Sequence, residues 1–157
     1  MLHDLVRGYA AGRARQALGD DGIRAAIERS LDHYLHTRVI SPGIPAAFTA
    51  APPAPPAPGV LPEELAGEAA LLAWTRAEHQ VVLQAIAQAA AAGFLTHAWQ
   101  IFMGQAWFLG DQGYWADIRA AGQGVLAAAE AAGDQVALGW THAIIGRYGT
   151  ISGADDA

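Results

Sequence analysis

The sequence predicts an all-α protein built of antiparallel helical hairpins, and three observations carry that expectation. Large apolar residues recur at spacings of three, four and seven over residues 96–110, and again over 139–153. Residues 114–132, between those segments, keep the same pattern. Gly93 and the pair Gly133-Asp134 stand where runs end, as a stop and then a stop with a fresh cap.

Residues 2–18 read as the first helix, with Leu2, Leu5, Val6 and Tyr9 as an apolar stripe and Arg7, Arg13 and Arg15 off it. Gly19-Asp20-Asp21 ends that helix and caps the next. Residues 21–39 place Ile23, Ile27, Leu31, Tyr34 and Leu35 on one face. Ser41-Pro42 closes the second helix, because proline disfavours helix in the residue before it. The run Ala51 to Pro58 favours polyproline II and a semi-rigid spacer of about 3.1 Å per residue. Such a run could serve an SH3- or WW-type domain, but a loop between helices accounts for it, with Phe48 pinning it to the body. Helix resumes at Pro62-Glu63-Glu64, where proline and acids suit a first turn, and runs to Ala92, either as one helix or as two with a bend near 75–78, a choice the pattern leaves open.

In the hairpin region Ala98, Ile101, Phe102 and Leu109 share one face, and Ile118, Ala121, Val125 and Ala129 another. Trp140, Ile144, Tyr148 and Ile151 line the last helix and are expected to form an uncovered face able to self-associate. Gly104 and Gly146 sit inside helices, where glycine costs about 1 kcal/mol against alanine, so a close helix approach is expected at each. The chain thus divides into a helical lead-in (1–40), a proline-rich linker (41–62) and a helical domain (63–157).

Composition narrows the function. Apolar residues make up 53% of the 157 residues, much of it alanine, which suits helices packed at close range. Cysteine is absent, which removes disulfides and thiolate metal sites. Arginine supplies all nine basic residues, the formal charge is −6, and no basic stripe offers itself to a phosphate backbone. Direct nucleic-acid binding is therefore not expected. No apolar run approaches a membrane span, and the N-terminus lacks a signal-peptide core, so a cytoplasmic protein is expected.

The residues show no catalytic constellation. No P-loop, G-x-S-x-G or G-x-G-x-x-G is present, and Glu78-His79 belongs to no zinc-protease motif. Asp32, His33 and His36 are read on the exposed side of the second helix, where the histidine pair suggests a metal binder or small helical-bundle enzyme as the alternative function. No third ligand follows at metal-site spacing, so no metal, cofactor or catalytic residue is expected. Trp74, Trp99, Trp107, Trp115 and Trp140 all read first as core anchors, and Trp99, Trp107 and Trp115 are the candidates for lining a partner groove.

The helix–turn–helix order over 96–153 resembles the tetratricopeptide (TPR) class, a right-handed helical repeat preceded here by an N-terminal helical pair. Gly104 takes the small position of helix A, Trp107 the aromatic one, and Ala116 the alanine opening helix B. The spacing from Gly104 to Gly146 exceeds the usual repeat of about 34 residues, and Gly149 replaces the second aromatic. The opening Leu2-His3-Asp4-Leu5-Val6-Arg7 resembles the Met-His-Asp motif that closes the nucleotide-binding core of NB-ARC (STAND) regulators, with Leu2 for methionine. The segments 31–37 and 73–78 look like those of actinobacterial transcription regulators of the SARP/AfsR-like type. The resemblance implies the C-terminal sensor and TPR half of such a regulator, acting on a protein partner or inducer. It also implies that His3, supported by Asp4, is a vestige of a nucleotide-sensing site, since no P-loop accompanies it.

Overall fold

The computed structural model describes residues 2–37 and 52–152, and the chain there forms five helices with no strand among the described residues. They are α1 (Leu2–Thr37), α2 (Gly67–Ala91), α3 (Leu95–Asp111), α4 (Trp115–Ala132) and α5 (Gln135–Ser152). Short connections make α2 to α5 successive antiparallel partners. Each of these packs on the next helix and on the next but one, so α2 meets α4 and α3 meets α5. The fold is an all-α stack of helical hairpins, as the periodicity predicts.

Helix α3 lies at the centre, touching α1, α2, α4 and α5. Its sequence explains that place. Ala98, Trp99, Ile101, Phe102, Met103, Ala106, Phe108 and Leu109 are all buried, so the apolar surface runs right round the helix. The neighbours offer one stripe each: Val82, Ala85, Ile86 and Ala89 from α2, Ile118, Val125 and Ala129 from α4.

The turns repeat. Gly93, Gly113 and Gly133 all have positive φ (78°, 75° and 67°) at an even spacing of 20 residues. At each, the amide one residue past the glycine reaches back five residues to a helix carbonyl: Phe94 to Ala89 at 2.9 Å, Tyr114 to Leu109 at 2.8 Å, Asp134 to Ala129 at 3.0 Å. This is the Schellman closure, which only glycine enters without a steric penalty. The same residue then opens the following helix through its carbonyl, as in Ala98 to Phe94 and Ile118 to Tyr114.

Several expectations need correction. Helix α2 starts at Gly67, not at Pro62. The Glu63 amide donates to Thr37 Oγ1 at 3.0 Å, and its carboxylate accepts from Trp74 Nε1 at 3.0 Å, which holds residues 62–66 outside the helix. No bend interrupts 75–78. Helix α5 begins at Gln135, earlier than the apolar segment from Gly139 but directly after the cap the sequence places at Asp134, whose Oδ1 accepts from the Val136 and Ala137 amides at 3.0 Å. The break between the two lead-in helices does fall where the sequence places it, at Gly19 (φ 64°, ψ 179°), although the two run on as one element, α1. Ser41-Pro42 and Phe48 lie outside the described residues.

The close approach expected at Gly146 is absent. A Cβ on Gly146 would meet nothing within 4 Å. Gly104 is half-buried, about 200° round the helix from Phe102, the residue that faces α4. The tight places are Gly110, where a Cβ would fall into the Tyr148 ring, and Gly122, where it would come within 2.7 Å of Ile145 Cδ1 and 3.1 Å of Phe102 Cζ. The expected uncovered face of α5 is also largely covered: Ile144 is 2% exposed within the core, and Tyr148 packs on Trp115 at 6.0 Å between ring centres. The Ile151 side chain lies outside the described residues.

Candidate functional site

The most polar part of the interior lies where α1, α3 and the proline-rich segment meet. Asp32 is 6% exposed, against the sequence expectation of a solvent-facing position. The helix turns it inward because both carboxylate oxygens find donors. Oδ1 accepts from His97 Nε2 at 3.0 Å, and Oδ2 accepts from the Ala57 amide at 2.7 Å. The proline-rich segment is held at three further points. His33 Nδ1 donates to the Leu61 carbonyl at 3.0 Å, Thr37 Oγ1 takes the Glu63 amide, and Trp74 takes the Glu63 carboxylate. The run from 52 to 63 is thus a strap fastened along α1. Beneath it, Glu28, Leu35, Pro55, Thr96 and His97 line a cavity of about 150 Å³.

A second histidine–carboxylate pair ties α2 to α4. His79 Nε2 meets Asp117 Oδ2 at 2.8 Å, and the imidazole lies 4.5 Å from the Tyr114 ring. His97 and Asp117 hold equivalent places, each four residues past its turn glycine. Each binds the helix two before its own, with acid and base exchanged between the pairs. The third equivalent, Ala137, is fully buried. Nearby, Tyr34 donates to Glu78 Oε2 at 3.3 Å, and burial, helped by the Glu78 charge, raises its phenol above the ordinary tyrosine value. Tyr148 is also raised by burial, with the Arg147 guanidinium opposing.

These pairs are cross-links rather than a metal centre. His33 and Asp32 hold the strap, while the half-buried His36 has no hydrogen-bond partner at Nε2. Among the described residues no three His, Asp or Glu side chains converge on a metal position. The histidine ties were not legible in sequence, because the partners lie 65 and 38 residues apart. The signal that could have found them is the 20-residue turn spacing.

The tryptophans divide. Trp99 is 3% exposed and stacks on Trp140 at 6.2 Å with planes 4° apart, so it gives its surface to the core. Trp107 and Trp115 are half-buried on the core margin. His3 and Asp4 fall in the first turn of α1, and their side chains lie outside the described residues. Past them, Leu5, Val6 and Tyr9 are 71%, 61% and 72% exposed. A Cβ on Gly8 or Gly12 would also meet nothing within 4 Å. The part of α1 before Gly19 is therefore an arm whose stripe, Leu5, Val6 and Tyr9, stays outside the hydrophobic core of the described residues.

No family model, curated protein or solved structure matches the chain.

Proposed function

We propose that this chain is a non-enzymatic helical interaction and sensor module of a STAND-type transcription regulator of the actinobacterial SARP/AfsR-like kind. One observation carries the reading: the same glycine turn recurs at 93, 113 and 133 and stacks the helices in a row. Such quasi-one-dimensional stacks present extended surfaces to partners rather than a closed catalytic pocket. The Leu2-His3-Asp4-Leu5 motif supplies the regulator assignment. No helix among the described residues is long and apolar enough to cross a membrane. On this reading the chain works in the cytoplasm, binds a protein partner or inducer and needs no cofactor of its own.

The test is co-purification with the tagged nucleotide-binding core of the regulator encoded in the same locus. A complex that survives washing supports the assignment; a folded chain that the core does not retain overturns it. Calorimetry gives a second check. The isolated chain is expected to take up no ADP, and micromolar binding lost in His3→Ala would show that the nucleotide site is complete here.

A further inference from the structure

We infer that the arm of α1 before Gly19 docks on a second copy of this chain, at the segment around Leu61. The arm's stripe of Leu5, Val6 and Tyr9 is exposed and lies outside the hydrophobic core of the described residues. An exposed stripe of large apolar side chains on a helix calls for a covering surface. Charge selects the cover. Residues 1–18 hold Arg7, Arg13 and Arg15 against Asp4 alone, a net +2, so with −6 over the whole chain the remainder carries −8. The most exposed large apolar side chain among the described residues of that body is Leu61, at 84%. It is followed closely by Glu63, Glu64 and Glu68, all exposed. One chain therefore carries both halves of a contact: an apolar stripe with arginines beyond it, and an apolar residue with glutamates beyond it. Arg13 stands one turn, about 6 Å, past Tyr9 on the arm.

Gly19 sends the arm away from its own body, with a φ of 64° that breaks α1. A two-fold pair uses each arm once and each Leu61 segment once. That reciprocity matters for size, since stable interfaces bury about 1,200–2,000 Å² in total and one short arm supplies only part of this. The surface differs from the α5 face expected from sequence, where Ile144 is turned into the core. It stands whether or not the chain belongs to a STAND regulator.

Light scattering and sedimentation velocity on the full chain over a concentration series test the contact. The expected result is a mass of two chains at high concentration that halves on dilution and weakens with salt. Leu5→Asp with Tyr9→Asp should give single chains at unchanged melting temperature, because the stripe supports nothing in its own fold. Arg13→Glu with Arg15→Glu should weaken the dissociation constant about tenfold or more, through repulsion at the acidic segment. Adding Glu64→Arg and Glu68→Arg in the same chain should restore it. A pair that survives the Leu5/Tyr9 change, or a charge reversal that the second reversal does not rescue, overturns the proposal. So does a wild-type chain that is single at every concentration, including one that co-sediments with phosphatidylserine vesicles.

Discussion

Gly110 shows how far a single missing methyl group reaches in this stack. Its place against the Tyr148 ring lets the end of α3 meet the end of α5, and Trp115 holds the ring from the other side. Alanine there gains up to about 1 kcal/mol of helix propensity. It also forces a half-buried ring to move, and overpacking costs about 1–3 kcal/mol. Gly110→Ala is therefore expected to lower stability in urea unfolding, whereas Gly146→Ala, with nothing within 4 Å, should raise it by up to about 1 kcal/mol. Sequence could not rank these glycines. Gly104, Gly110, Gly122 and Gly146 all interrupt helical patterns in the same way. Which of them faces a neighbour depends on helix rotation, and that is set by the whole of α3 finding cover on every side.

At the scale of elements, the regular parts were legible and the irregular ones were not. Residues 95–111 are apolar at nearly every turn, and that alone marks α3 as a central helix. The three turn glycines end their helices by one mechanism, so each should respond alike. A side chain held in the left-handed region costs about 1–2 kcal/mol. Gly93→Ala, Gly113→Ala and Gly133→Ala should each lose about that much in chemical denaturation; a null effect at any of them would mean the turn opens freely. The strap was misread as a simple spacer because proline composition speaks of stiffness and not of attachment. Its fastening depends on Asp32, a residue from another element with no periodic signature. Asp32→Ala removes the acceptor for both Ala57 and His97. Losing a charged hydrogen-bond partner of this kind costs about 1.5–3 kcal/mol. The expected outcome is a lower melting temperature together with faster proteolytic cleavage between 52 and 62, while His33→Ala, which frees the Leu61 carbonyl and gives up only a loose 3.9 Å approach to the Glu63 carboxylate, should have the smaller effect on both.

For the whole molecule, the break at Gly19 separates two parts of α1 with opposite roles. Among the described residues the arm before it contributes no side chain to the core, although sequence gives both halves the same amphipathic look. The half after it contributes Leu31 and Leu35, which lie in one cluster with Val82, Ile86, Phe102 and Leu109. Burying a leucine stabilises by about 1.5–3 kcal/mol, and a domain of this size has only about 5–15 kcal/mol in all. The lead-in boundary drawn at residue 40 from composition therefore divides a shared core. A chain starting at residue 20 should melt at the full-length temperature, measured at a concentration where both are single chains. A chain starting at residue 63 loses both leucines, the Asp32–His97 tie and the cover of one side of α3. It is expected to unfold with a much lower midpoint or without a cooperative transition. If 63–157 instead melts as sharply and as high as the full chain, then α1 rests on the surface of a finished domain, and the core ends at α2.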